Sequence, residues 1–240
     1  MAQQLRSAGD VDMKPDVIVS WPVHADYPLW RQFIHAERER FDQVIVAFTD
    51  HPGFDYSRFV VEATAPDDVT IIRTHAQDRD WRDLAVNAAL DLSTAEWVWF
   101  TEQDLIITDP YWFWATVSRW SPIVDAVGIE EPGGRRAHPA CLFVRREAVN
   151  ATSRYFGTVP VDHFGAFADE LGTIHYIPSS TYEHLQGLSH NHWLIDSGEE
   201  AGRFKMDRFA RYLEDCLQVD VPLDSDWAER SSSYLRAQAA

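Results

Sequence analysis

Residues 95–104 read AEWVWFTEQD, and this stretch decides the fold class. From Glu96 to Thr101 the side chains form a nearly continuous apolar run rather than an alternating one. A strand that is half solvated alternates; a central strand covered on both faces does not. The run ends abruptly in Glu102, Gln103 and Asp104. A buried strand that delivers two acids at its carboxyl end belongs to a layered α/β architecture, in which ligands bind beyond the strand ends.

The flanking sequence supports that layering. Asp16 to Trp21 (DVIVSW) is a short β-branched run stopped by Pro22, and Gln43 to Thr49 (QVIVAFT) is a second, closed by Asp50, His51, Pro52 and Gly53. Val69 to Arg73 reads as a third strand. Between them, Asp26 to Arg40 reads as a helix, with Asp26 as cap and Pro28 in its first turn. Asp80 to Leu90 is the clearest helix, because Trp81, Leu84, Ala85, Ala88 and Ala89 recur at helical spacing, leaving Asp83 and Asn87 on the other side. Asp109-Pro110 opens another helix, since proline is tolerated in the first turn. Further on, Val124 to Ile129, Ala140 to Val144 and Thr173 to Ile177 read as strands, and Phe164 to Leu171 as a short helix ended by Gly172. Residues 199–217 read as an amphipathic helix, and residues 1–14 as a polar tail.

Composition narrows the function classes. The 240 residues carry 21 Lys and Arg against 38 Asp and Glu, a formal net charge of −17. Broad nucleic-acid affinity comes from basic side chains displacing counterions, so this balance argues against a polyanion-binding surface. The 10 Trp, 8 Tyr and 13 Phe exclude a chain disordered over most of its length. Uninterrupted apolar runs reach only about five residues, far from the ~18 of a membrane span. Cys141 and Cys216 make no disulfide framework, and no cleavable leader is visible, so a reducing, cytoplasmic compartment is expected. No GxGxxG or GxxxxGK loop and no GxSxG elbow is present, which disfavours dinucleotide dehydrogenases, P-loop enzymes and α/β-type serine hydrolases.

Three groups of residues could carry chemistry. Glu102 and Asp104, leaving a strand one residue apart, can converge on a hard cation such as Mg²⁺ or Mn²⁺; the same pattern fits a solvated strand end. His184, His190 and His192, in YEHLQGLSHNHW, can offer neutral imidazole to a metal or form a surface loop. Asp162, ahead of the short helix, can cap it or serve as a general base. Asp169 and Glu170 read as solvated. Trp97, Trp99, Trp112 and Trp114 read as core, whereas Trp193 beside the histidines is a candidate for ligand contact.

Taken in order, DVIVSWPVH, RDWRDLAVNAAL, AEWVWFTEQD, HPACLFVRREAV and VDHFGAFADELGTIHYIPSSTYEHLQGLS resemble the segments of a family 2 glycosyltransferase, over about Asp16 to Trp193. The resemblance implies a GT-A-type three-layer α/β sandwich whose central sheet is mostly parallel and flanked by helices. It implies a catalytic domain over residues 15–198, with a donor half to about 108 and an acceptor half from about 109, followed by a C-terminal helix and tail over residues 199–240. It implies transfer of a sugar, most simply from a UDP-sugar, to an acceptor hydroxyl with inversion, assisted by Mn²⁺ or Mg²⁺. Asp104 matches the second acid of the D-x-D metal motif; Glu102 stands where the first Asp usually is. His184, or His192 or His190 in another register, matches the late histidine of the metal shell. Asp162 matches the acid that acts as base, though Val161 and His163 replace the usual neighbouring acid. Trp21, Pro22, His24, Asp50, Arg82, Asn87, Glu102 and Gln103 fall where the donor is held, and His163 and Trp193 on the acceptor side. The acceptor itself is not legible: a saccharide, lipid-linked sugar, protein, small molecule or modified DNA base all fit. A nucleotidyltransferase, or a GT-A-shaped binding protein without turnover, are the competing readings. SWPVHADYP lacks the Gly-rich basic loop that the former displays.

Overall fold

The computed structural model describes residues 13–20, 38–50, 69–75, 81–102, 105–131, 134, 136–153 and 163–184. Nine strands are present among them: β1 (Asp16–Ser20), β2 (Val44–Asp50), β3 (Val69–His75), β4 (Trp97–Thr101), β5 (Leu105–Ile107), β6 (Ala126–Glu130), β7 (Ala137–Arg145), β8 (Ile174–Tyr176) and β9 (Tyr182–His184). The α-helices are α1 (Trp81–Leu92), α2 (Pro110–Trp120), α3 (Arg146–Ala151) and α4 (His163–Glu170). The helix expected over residues 26–40 lies outside the described residues except for Arg38–Arg40, which form a 3₁₀ turn. The helix expected over residues 199–217 lies wholly outside them.

Seven strands form one sheet in the order β3-β2-β1-β4-β7-β6-β8, and β5 and β9 form a separate two-stranded ribbon. β4 lies between parallel β1 and antiparallel β7. Because side chains alternate across a strand, the sheet buries two distinct cores. Val17, Val19, Val44, Val46, Trp97, Trp99 and Phe143 face one side, against Phe113 and Val117 of α2 and the β5 residues Leu105 and Ile107. Ile18, Ile45, Val98, Phe100, Leu142 and Val144 face the other, against α1, α3 and α4. This is the three-layer, mostly parallel sandwich expected, and it explains the unbroken apolar run: both faces of β4 are dry.

Two details depart from the periodicity. On α1 the buried side chains are Ala85, Val86, Ala89 and Leu90, with Ala88 only half-buried, so the apolar stripe is rotated from the one expected through Ala88. On α2, Trp112 is 60% exposed, which corrects its reading as core. Asp109 caps α2 by accepting from the Trp112 N–H. The helix is thereby fixed in rotation with Phe113 and Val117 inward, and Trp112 and Tyr111 face outward.

The edge of the sheet away from the strand carboxyl ends is closed by a buried acid. Asp16 Oδ2 accepts from Ser93 Oγ, the Thr94 N–H and the Ala95 N–H at 2.7, 2.7 and 2.8 Å. Arg146 reaches the same carboxylate at 3.9 Å while donating to the carbonyls of Leu90 and Ala95. The end of α1, the start of β1 and the start of α3 are therefore tied at one point. A buried, multiply bonded carboxylate so far from the strand carboxyl ends is structural.

Close packing leaves no room at Gly128 in β6. A Cβ there would lie 2.7 Å from Leu142 Cδ1 and 2.9 Å from the Cys141 carbonyl oxygen. The carbonyl belongs to the neighbouring strand and cannot swing aside. Gly128→Ala is expected to lower stability by about 1–3 kcal/mol, the usual cost of overpacking, read as a reduced urea midpoint with an unchanged slope.

Candidate active site

The carboxyl ends of β1, β2, β3 and β4 lie along one edge of the sheet, since these strands run parallel. Thr101 ends β4 opposite Cys141 of β7, so the chain entering β7 passes the same edge. Glu102 is then held against that incoming strand. Its N–H donates to the Ala140 carbonyl at 3.3 Å, and Thr101 Oγ1 bonds both the Glu102 and the Ala140 carbonyls at 3.1 Å. The Glu102 side chain is only 7% exposed.

His184 reaches this point along the β5–β9 ribbon. Leu105 pairs with His184, Ile106 with Glu183 and Ile107 with Tyr182. The ribbon is anchored by Thr181, whose carbonyl accepts from the N–H groups of Thr108 and Asp109 and whose hydroxyl donates to the Pro178 carbonyl. The late histidine is thereby set across from the residue that follows Asp104. His184 Nε2 lies 3.6 Å from Glu102 Oε2, with the imidazole itself 12% exposed.

A third side chain joins them that sequence reasoning did not single out. His138 lies two positions before Ala140 at the start of β7, and its ring centroid is 4.6 Å from that of His184, inclined at 61°. One donor atom from each of Glu102, His138 and His184 falls within 4.8 Å of the other two. The signal was present as a histidine just ahead of an apolar strand, in RRAHPACLFV. Only the antiparallel register of β4 and β7 makes it meaningful.

The remaining expected site residues divide by what is described. Asp50 ends β2 at the same edge, and Arg82 lies in the first turn of α1, whose N-terminus follows the carboxyl end of β3. Asn87 is five residues further along α1, about 7.5 Å down the helix axis, and half-buried. His163 is the first residue of α4. Trp21, Pro22, His24, Gln103, Asp104, Asp162, His190, His192 and Trp193 lie outside the described residues.

Nucleophilic chemistry at Cys141 is not indicated. The thiol is fully buried in β7, and burial pushes its pKa far above the usual thiol range, whereas a reactive cysteine needs an accessible thiolate. Tyr182, one step below His184 on the ribbon, is likewise kept neutral: burial first, then the neighbouring Cys141 and Glu130, raise its pKa. Among the described residues, the Glu102 carboxylate meets the His138 and His184 imidazoles at this edge. That mixture of one oxygen and two nitrogen donors, the carboxylate buried and the two imidazoles half-buried, suits a divalent cation.

No protein-family profile matches the sequence, and no curated protein matches it. Solved structures do resemble it. One is the mannosyltransferase PcManGT from Pyrobaculum calidifontis in complex with GDP-Man and Mn²⁺, with 14% identity and a TM-score of 0.50 over 99% of this chain and 91% of that one. Another is glucosyl-3-phosphoglycerate synthase from Mycobacterium tuberculosis with phosphoglyceric acid, with 13% identity and a TM-score of 0.50 over 92% of this chain and 86% of that one. The same enzyme with Mn²⁺, UDP and phosphoglyceric acid gives 12% identity and a TM-score of 0.50, over 92% and 84%. At such identities the likeness is one of fold alone, and the chain has the GT-A fold. No helix among the described residues is long and apolar enough to cross a membrane.

Proposed function

We propose that this GT-A chain is a metal-assisted glycosyltransferase that moves a sugar from a nucleoside-diphosphate sugar, a UDP-sugar most simply, to an acceptor hydroxyl with inversion. The observation that carries the reading is the meeting of Glu102 and His184, 3.6 Å apart and nearly buried, at the carboxyl edge of the sheet. Two elements of no shared sequence neighbourhood converge there, and their donor chemistry fits Mn²⁺ or Mg²⁺. Asp104 and His192, flanking these residues in sequence, are proposed as further donors. The proposed catalytic domain spans residues 15–198, in a reducing cytoplasmic compartment.

Bound there, the divalent ion supplies Lewis-acid stabilisation of the departing diphosphate. The chain's own residues do the rest. Trp21, Pro22, His24, Asp50, Arg82, Asn87 and Gln103 are proposed to hold the base, ribose and phosphates of the donor. His163 and Trp193 are proposed to place the acceptor. Asp162, immediately before α4, takes the hydroxyl proton as the acceptor oxygen attacks the anomeric carbon from the face opposite the leaving diphosphate. Removing that base by Asp162→Asn is expected to slow transfer about a hundredfold while leaving donor affinity within a few-fold. Transfer at the parental rate overturns the assignment.

The test of the whole reading is a thermal-shift panel of UDP-, GDP- and dTDP-sugars with and without Mn²⁺, followed by donor hydrolysis and transfer assays. A metal-dependent shift with one nucleotide sugar and release of its diphosphate supports it. A shift without turnover identifies a binding protein instead. Diphosphate release from a nucleoside triphosphate and a sugar phosphate identifies a nucleotidyltransferase.

A further inference from the structure

We infer that His138 completes, with Glu102 and His184, a three-donor transition-metal site that fills before any nucleotide binds. The inference rests on the transferase reading above and goes beyond it in adding a ligand, an order of binding and a metal preference.

The three donors come from three separate parts of the chain. Glu102 follows β4, His138 lies at the start of β7, and His184 ends β9. The sheet places the first two together. The Ala140 carbonyl accepts the Glu102 N–H, and the Ala140 N–H in turn donates to His138 Nδ1, in the stretch of β7 where its pairing with β6 shifts register. The ribbon supplies the third through the Leu105–His184 pair. The resulting donor atoms lie within 4.8 Å of one another, with His184 Nε2 3.6 Å from Glu102 Oε2. Around an ion with bonds of about 2.1 Å, neighbouring donors stand about 3–3.4 Å apart. Glu102 and His184 need a contraction of a few tenths of an ångström, and a pair standing at the 4.8 Å limit closes by about 1.5 Å, the scale of a side-chain rotation.

Burial gives this cluster its direction. A carboxylate 7% exposed beside an imidazole 12% exposed is held at a desolvation cost to its charged form. A cation at their centre removes that penalty. Three protein donors also differ in kind from one or two. A site with few protein ligands needs diphosphate oxygens to complete its shell, whereas a site with three holds its ion alone and leaves the remaining positions for the incoming phosphates. Two imidazoles among the three favour Mn²⁺, Fe²⁺, Co²⁺ or Zn²⁺ over Mg²⁺, which prefers oxygen and keeps its water.

One hydrogen bond must be exchanged. The Ala140 N–H donates to His138 Nδ1 at 3.0 Å, so the neutral ring carries its proton on Nε2. If the ion takes Nδ1, it replaces the Ala140 donor directly. If it takes Nε2, the proton moves to Nδ1 and the Ala140 contact opens. Neither route changes the net proton count of the neutral ring, and each gives up the Ala140 hydrogen bond for a metal bond.

The experiment is a titration of the full chain with Mn²⁺ in the absence of nucleotide, following unbound Mn²⁺ by electron paramagnetic resonance. One equivalent is expected to bind, and a hundredfold excess of Mg²⁺ is expected to leave most of it in place. His138→Ala and His138→Gln are expected to weaken nucleotide-free binding at least tenfold. Added UDP or GDP restores much of the loss, because diphosphate oxygens replace the missing donor. A second readout uses the Co²⁺-loaded parent protein, whose proton spectrum is expected to show a hyperfine-shifted imidazole N–H resonance that His138→Gln removes. If the parent and the His138 variants bind Mn²⁺ equally, or if the parent binds it only with nucleotide present, the inference is overturned while the transferase reading stands. If the parent binds no Mn²⁺ with or without nucleotide, the metal-assisted reading itself falls.

Discussion

His184→Ala is expected to lower metal-dependent turnover about a thousandfold, and Glu102→Gln by a similar factor. A thousandfold corresponds to about 4 kcal/mol of transition-state stabilisation, the order that a well-placed Lewis acid supplies at a developing oxyanion. Both substitutions are chosen to spare the fold. His184 is held in β9 by backbone pairing with Leu105, which alanine retains. Glutamine keeps the length of Glu102 and removes its charge, while its backbone N–H remains bonded to Ala140. The loss is therefore expected to show in kcat as a function of Mn²⁺: the saturation curve moves to higher metal concentration and its plateau falls. Circular dichroism melting should place both variants close to the parent. Turnover within a few-fold of the parent, at the same Mn²⁺ requirement, would falsify the assignment of these two residues to the metal.

The parts of this arrangement that could be read from sequence are those in which one strand's own environment repeats along its length. WVWFT is buried at every position, and apolar at all but Thr101, because β1 and β7 flank it and helices cover both faces. That fact alone placed β4 centrally and located the candidate chemistry at its end. The α2 start was legible for a local reason, the Asp109 cap followed by Pro110. What failed to show was anything set by pairing between distant segments. β5 and β9 are three residues each, too short for a period, and exist because they pair with one another. Among His184, His190 and His192, sequence could not choose a register; the ribbon sets His184 beside Glu102. His138 was invisible for the same reason, since its neighbours in space are 36 and 46 residues away in sequence. Trp112 shows the opposite error: bulk suggested core, but helix rotation fixed by the neighbouring Phe113 turned it outward.

The aromatic cluster beneath β4 couples the fold to this edge. Trp99 and Glu102 are three residues apart, and Cys141, opposite Thr101, lies between Ala140 and Phe143 on the strand that also carries His138. Tightness in the core is therefore transmitted to the candidate ligands over short, stiff strand segments rather than through loops.

Trp99→Ala is accordingly expected to produce the largest loss of stability of any single truncation in the sheet, about 3–5 kcal/mol. Trp99 is completely buried. Its ring stacks on Phe143 at 4.8 Å between centroids and 9° between planes, and meets Trp114 edge-on at 5.6 Å and Phe41 at 5.5 Å. Alanine removes all three contacts and opens a cavity walled by rings that cannot collapse into it, because β7 and α2 are fixed by their own hydrogen bonds. Aromatic pairing adds about 0.5–1.5 kcal/mol per pair beyond burial, so Trp99→Leu is expected to recover part of the loss and Trp99→Phe more. Against a total stability of about 5–15 kcal/mol for a domain, the alanine variant sits close to unfolding at 37 °C. Urea denaturation followed by far-ultraviolet circular dichroism checks the order, because ten tryptophans blur a fluorescence signal. A midpoint within 0.3 M of the parent, about 0.5 kcal/mol at usual slopes, would show that the cluster is not the centre of the fold. In the folded fraction, Mn²⁺ affinity is expected to weaken far less than in His184→Ala, since Trp99 packs in the core against Phe143, Trp114 and Phe41 and offers no ligand atom.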